Sequence, residues 1–188
     1  MDAFDAIHRR VSTRAFLPRP VPRALVERLL DAAVRAPNHK LTEPWRFAVL
    51  TGGALARLAD ARAEHRAARF DPPGGPDAAK AAERTRRETL ETPVFVVVLC
   101  AQSDDAARRE EDTASAWMAT QNLLTAATAE GLGSYVRTGG ILEHPEVVRL
   151  ALPAIGYRLL ALISLGYPAE EQPPRRRTPA EQKTVWVE

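Results

Sequence analysis

Arg10, Ser12 and Arg14 stand at alternate positions near the start of the chain. In an extended or turning segment this spacing turns two guanidinium groups and a hydroxyl to one side. That donor set suits a dianionic phosphate, which accepts several charge-assisted hydrogen bonds at once. Arg175 and Arg177 repeat the alternation between Pro173-Pro174 and Pro179, and could join the same anion. By residue type alone, both clusters also fit solvated basic turns. His8, His39, His65 and His144 lack the carboxylate spacing of a metal site, and the chain has no Walker motif, GxSxG elbow or HExxH. If the protein is an enzyme, a bound cofactor rather than a protein nucleophile performs the chemistry.

Three segments in one order carry a resemblance. They are Arg10-Val11-Ser12-Thr13-Arg14-Ala15-Phe16, the stretch 36–47 that ends in Glu43-Pro44-Trp45-Arg46-Phe47, and Gly131-Leu132-Gly133. Pro-Trp-x-Phe opening a strand after an Ala-Pro helix end is the most specific of them. The set resembles the nitroreductase family over nearly the whole chain. The resemblance implies an α+β protein with a three-layer α-β-α fold, a mixed central sheet flanked by helices, and an intertwined homodimer with flavin mononucleotide (FMN) held between subunits. It also implies hydride transfer from NADH or NADPH through flavin N5 to a nitroaromatic, quinone or related small acceptor by a ping-pong route. Other members use the same flavin site for oxidase or dehalogenase tasks, and a flavin-binding protein without turnover is a further alternative.

The same resemblance distributes the site residues. Arg10, Ser12 and Arg14 fall where the family binds the flavin phosphate, with Arg175 and Arg177 of the C-terminal basic pattern joining them. Val11 stands where many members carry another basic residue, which leaves it a main-chain contact. Many members have Ser-Ser after the proline and Asn-x-Gln before Pro-Trp; this chain has Asn38-His39 and Leu41-Thr42-Glu43. Arg35 and His39, with Pro37 and Asn38, then become the partners of the flavin ring. Val136, Arg137, Thr138 and Gly139 resemble the segment whose backbone amide reaches N5. Gly131-x-Gly133 closes a helix instead of opening one, so it is no dinucleotide fingerprint.

The elements that must position these residues follow from periodicity. Leu25, Val26, Leu29, Leu30 and Ala33 form one apolar stripe, predicting a core helix over 22–35 that Pro37 stops. A strand is expected at 45–51, then an Ala-rich helix to about residue 69 and an exposed loop at 71–76, DPPGGP. Residues 77–91 read as a helix with few large apolar anchors, a candidate mobile flap, and 54–91 as the lining of the acceptor pocket. The run VFVVVLCA, 94–101, suits a strand covered on both faces. A long helix over 112–130 follows, with strands at 134–137 and 158–165 around a short helix near 143–150. The end of the chain, 184–187, is expected as a short strand.

Composition sets the outer limits. The 188 residues, 45% of them hydrophobic, make one domain spanning 1–188, and the resemblance implies that 173–188 form an arm reaching the partner subunit. Lys and Arg total 26 against 24 Asp and Glu, a formal net charge of +2, and without an RNA-reading aromatic motif this balance argues against a nucleic-acid partner. No run reaches the roughly 20 apolar residues of a membrane span, and the charged opening lacks the apolar stretch of a secretory signal, so a cytoplasmic location is expected. The single cysteine, Cys100, rules out an internal disulfide and a CxxC motif and reads as a small buried hydrophobe.

Overall fold

Every residue from Val94 to Cys100 is buried in β2 (Val94–Ala101), and this is why the run needs no polar alternation. In the computed structural model, which describes residues 1–151 and 155–188, β2 lies inside a four-stranded sheet of order β1-β2-β4-β3, with β1 at Trp45–Leu50, β3 at Gly133–Arg137 and β4 at Tyr157–Gly166. All three pairings are antiparallel. Among the described residues, the parallel component of the expected mixed sheet is one bridge, Ser12 with Ser134.

Alternate residues of β2 enter two cores. Val94, Val96, Val98 and Cys100 pack against α2 (Arg23–Ala33) and α5 (Ala106–Ala129) through Leu29, Ala119 and Leu123. Phe95, Val97 and Leu99 meet α3 (Gly53–Ala67) and α6 (Pro145–Ala151) through Leu58, Val147 and Leu150. The result is three layers, helices on both faces of one sheet.

Four features depart from the sequence reading. Residues Ala3–Arg9 form a helix, α1, capped by Asp2, whose carboxylate accepts the Asp5 N–H; its apolar Phe4 and Ile7 are exposed, so no core stripe announces it. Helix α5 begins six residues earlier than expected because Asp105 caps it by accepting the N–H groups of Ala107 and Arg108, and the charged first turns hide the period. The segment expected as a flap is α4 (Pro76–Leu90), fastened to α3 by polar contacts in place of large apolar ones: Arg86 Nε lies 2.8 Å from Asp60 Oδ1, and Arg62 Nη1 donates to Thr89 Oγ1 at 2.5 Å. The C-terminal strand does not form. Ala180–Lys183 make a short 3-10 turn, and Val185, Trp186 and Val187 are 87, 86 and 93% exposed. A strand is a pairing, and in the single chain these residues pair with no edge.

Among the described residues no helix is long and apolar enough to cross a membrane, and no three metal-ligating side chains gather.

Candidate functional site

The first motif is pinned against the end of the sheet by main-chain bonds. Thr13 N–H donates to Ser134 O at 2.9 Å, Leu17 N–H to Tyr167 O at 2.8 Å, and Ala169 N–H to Ala15 O at 3.0 Å. Two glycines permit this approach. A Cβ on Gly133 would stand 2.5 Å from Thr13 Oγ1, and one on Gly166 2.9 Å from Phe16 Cδ1. Thr13 and Phe16 are buried. Val11 and Thr13 line one cleft with Gly131–Gly133 and Glu170–Pro174, whereas Arg14 lines two others.

Arg14 enters a cleft of about 700 Å³ between the α3–α4 pair and β3, where Arg62, Arg66, Lys80, Arg84 and Arg137 join it. Its Cζ is 5.5 Å from the Tyr135 ring centroid, and that of Arg137 is 4.5 Å from the same ring. Arg137 Nη1 donates to Ser164 Oγ at 2.8 Å. Arg62 is only 9% exposed. Burial first, and then Arg137, lowers its pKa to about 10, against a smaller opposing pull from Glu88. Burial likewise lowers the pKa of Arg137. Sequence reasoning found Arg14 and Arg137 but missed the four helical cations, which alternate with acids along the chain. The legible signal was their own spacing: Arg62 and Arg66 lie four apart on α3, as do Lys80 and Arg84 on α4.

The loop before β1 is strained. Lys40, Leu41 and Glu43 have φ of 55, 53 and 43°, a left-handed conformation costing about 1–2 kcal/mol for each such residue. Polar contacts hold it there. His39 Nδ1 lies 2.7 Å from Glu111 Oε2, Thr42 Oγ1 donates to Asp112 Oδ1 at 2.6 Å, and Asn38 Oδ1 accepts the Glu43 N–H at 2.9 Å. Leu41 is consequently 82% exposed. The Asn38 amide braces its own loop, its Nδ2 donating to Ala36 O at 3.4 Å. Pro37 is exposed, and Arg35 points to solvent beside Asp31 at 3.6 Å, with no contact to His39.

At the end of β3, Val136 packs on the first core while Thr138 and Gly139 are open to solvent, Gly139 with φ 83°. Gly140 lies against His65, whose Cε1 would be 3.1 Å from a Cβ there. The His65 pKa is lowered by burial, then by Arg69 and His144. Arg175 and Arg177 are exposed in the tail; no hydrogen bond or shared cavity among the described residues links them to Arg10, Ser12 or Arg14.

None of Arg10, Arg14, Arg175 and Arg177 has a carboxylate within 4 Å among the described residues. Their donors are open to an anion, and the donor chemistry fits a phosphate.

The model of the nitroreductase family matches residues 7–167. The Bacillus subtilis (strain 168) protein YfhC, named as an NAD(P)H nitroreductase, is 32% identical over 93% of this chain and 89% of its own. A crystal structure of a nitroreductase-like family protein from Bacillus cereus is 28% identical and superposes with a TM-score of 0.85, covering 100% of this chain and 97% of that one. The FMN and NADPH-dependent nitroreductase NfnB from sphigopyxis sp. strain HMH shares the fold, with a TM-score of 0.78 at 21% identity over 100% of both chains.

Proposed function

The chain belongs to the nitroreductase family, and on that premise we propose that it is an FMN-dependent oxidoreductase drawing on NADH or NADPH and reducing a nitroaromatic, quinone or related small acceptor. The observation that carries this reading is the placement of the first motif. Arg10, Ser12 and Arg14 alternate along a segment bonded to β3 at Ser134, and the same strand ends in the exposed turn Thr138-Gly139-Gly140. The row of donors read as a phosphate site is thus bonded to the strand that leads into the open glycine turn.

Arg10, Ser12 and Arg14 would hold the phosphate, with Val11 adding a main-chain contact and Arg175 and Arg177 completing the set. His39, fixed by Glu111 on α5, would orient the ring with Arg35, Pro37 and Asn38. The Thr138–Gly139 backbone, next to Val136 and Arg137, would present N–H groups to the ring edge, where the absence of a side chain at Gly139 allows close approach. When bound, FMN supplies the exchange of a hydride between a nicotinamide and the acceptor. For a nitroarene the balance is ArNO2 + NAD(P)H + H+ giving ArNO, NAD(P)+ and water. The left-handed loop and the Glu111 contact fix the position of His39 beside the proposed ring site.

We place residues 1–188 in one domain, with 173–188 as an arm that pairs with a second copy in a homodimer. The exposed Val185-Trp186-Val187 and the exposed apolar residues of α1 support this. The test is spectroscopic and kinetic. The purified protein should be yellow, bleach with NADH or NADPH under anaerobic conditions, recover colour with a nitroarene or quinone, and give parallel double-reciprocal lines for donor and acceptor. A colourless protein that neither takes up FMN nor consumes nicotinamide would sink the reading, and intersecting lines would replace the shared pocket with separate sites.

A further inference from the structure

The cleft between α3–α4 and β3 carries more positive charge than the fold can use. Six basic side chains line it, five of them besides the Arg14 assigned to the phosphate, against two carboxylates, Asp77 and Glu88. Among the described residues, Arg84 alone of the six has a carboxylate within 4 Å, its own helical neighbour Glu88. Arg62 and Arg137 are held by the hydroxyls of Thr89 and Ser164 and by the Phe95 and Tyr135 rings. Hydroxyls and ring faces orient a guanidinium without neutralising it. Glu88 acts on Arg62 and Arg137 only from beyond ion-pair distance, and a desolvated guanidinium with no carboxylate in contact is costly, a cost that an arriving anion reduces. The basic lining continues into a smaller adjoining cavity where Arg62, Arg66 and Arg137 meet His65, Arg69 and Thr138, with no carboxylate among its lining residues.

The cleft also lies beside the site already described. Arg137 directly precedes Thr138 and Gly139, and Arg14 belongs to the first motif. We propose that this cleft is a recognition subsite for an oxyanion carried by the molecule that exchanges electrons at the flavin site, selecting charged reactants over neutral ones of the same shape. The inference rests on the proposed flavin site for its position and on the cleft's own charge for its chemistry. Two sources carry such a group: a carboxylate on the acceptor, or the extra phosphate that distinguishes NADPH from NADH.

The test uses isosteric pairs, 4-nitrobenzoate with 4-nitrobenzamide and NADPH with NADH, on the full chain and on the double variant Arg66→Gln/Lys80→Gln. Both side chains are exposed on helices, so the variant should fold. Calorimetric binding of each compound, FMN content and kcat/KM are measured together. The expected result is that the charged member of at least one pair binds and reacts about tenfold better than its neutral or less charged counterpart, and that the variant removes this preference while leaving FMN content and reduction of the amide at the parental values. Preference within the first pair identifies an acceptor carboxylate; preference within the second identifies the donor phosphate. Equal treatment of both members of both pairs by the parent would overturn the inference. So would a variant that weakens both members of each pair equally, or that loses FMN in proportion, because the cleft would then serve the fold or the cofactor. If the protein proves to have no flavin chemistry, calorimetry still decides whether the cleft distinguishes the charged compounds, so the two readings fail separately.

Discussion

Gly133 faces Thr13 so closely that a Cβ on the glycine would stand 2.5 Å from Thr13 Oγ1 and 2.7 Å from its Cβ. The contact presses the first motif onto β3 and so sets the position of Arg10, Ser12 and Arg14. Gly133→Ala should destabilise the fold by about 1–3 kcal/mol, the usual cost of overpacking, and should lower FMN content more than the stability loss alone explains. Urea unfolding and flavin absorbance measure the two effects. Thr13→Gly in the same chain should restore part of both, since it removes the atoms in the way.

The loop at 39–43 makes an opposite prediction. Leu41 is exposed and left-handed, with φ of 53°, so its side chain contributes strain and little packing. Leu41→Gly should leave the melting temperature unchanged or slightly higher, while the β-branched Leu41→Val should lower it. Thermal melts of both variants check this. A drop for glycine as large as for valine would mean that the leucine has a packing role.

These two positions also show what sequence can carry. Gly133 was legible as a helix end, but its closer role, admitting Thr13, depends on two segments about 120 residues apart in sequence meeting, which no local pattern encodes. The strand β2 and the helices α2 and α5 were legible because burial on both faces or on one stripe writes itself into periodicity. Helix α1 left no such trace because Phe4 and Ile7 face outward. The pairs Arg62–Arg66 and Lys80–Arg84 were spaced plainly enough, and 54–91 read as a pocket lining, yet interleaved acids hid which charges face the cleft. Only the folded hairpin shows which of those charges lack a partner.

Cys100 is fully buried in β2, and burial pushes its thiol pKa up. Native protein should therefore fail to react with a thiol-disulfide reagent that titrates one thiol after denaturation. A raised folded-state pKa means that the thiol's contribution to stability is complete below the unfolded value, roughly 8.5, and fades as pH rises through the folded one. Cys100→Ala should consequently flatten the loss of stability on the alkaline side. Prompt reaction of the native thiol would show that β2 opens readily.

The tail provides a test of assembly. Val185, Trp186 and Val187 project into solvent at the end of a single chain, an arrangement that a second subunit would relieve by burying them. Deleting residues 173–188 should shift sedimentation from dimer toward monomer and lower FMN content together, since Arg175 and Arg177 leave with the arm. The point variant Trp186→Ala should weaken the dimer while keeping both arginines. Unchanged sedimentation and absorbance in the deletion would assign the arm no role in either.

The sharpest prediction separates phosphate from ring. Among the described residues neither Arg10 nor Arg14 has a carboxylate partner, and each can donate a charge-assisted hydrogen bond worth roughly 1.5–3 kcal/mol. Changing either to Ala should weaken FMN binding by about 10 to 150-fold, because every 1.4 kcal/mol is a factor of ten, while turnover per bound flavin persists. Riboflavin lacks the phosphate, so its affinity should be unaffected if the arginine serves the phosphate alone. The position of Arg14 at the Tyr135 ring, in the same cleft as Arg137, makes it the more informative of the two. Arg10→Ala should discriminate fully between the two flavins, whereas Arg14→Ala should also weaken riboflavin if its guanidinium reaches the ring side of the site. His39→Ala should do the reverse of Arg10→Ala, changing the rate of flavin reduction with a smaller loss of affinity, and Glu111→Gln should follow it in direction because the 2.7 Å contact fixes the imidazole. Titration of the four apoproteins with both flavins, followed by anaerobic stopped-flow reduction, resolves these cases. Parental FMN affinity in both arginine variants would remove the phosphate assignment and leave the first motif a basic turn braced on β3.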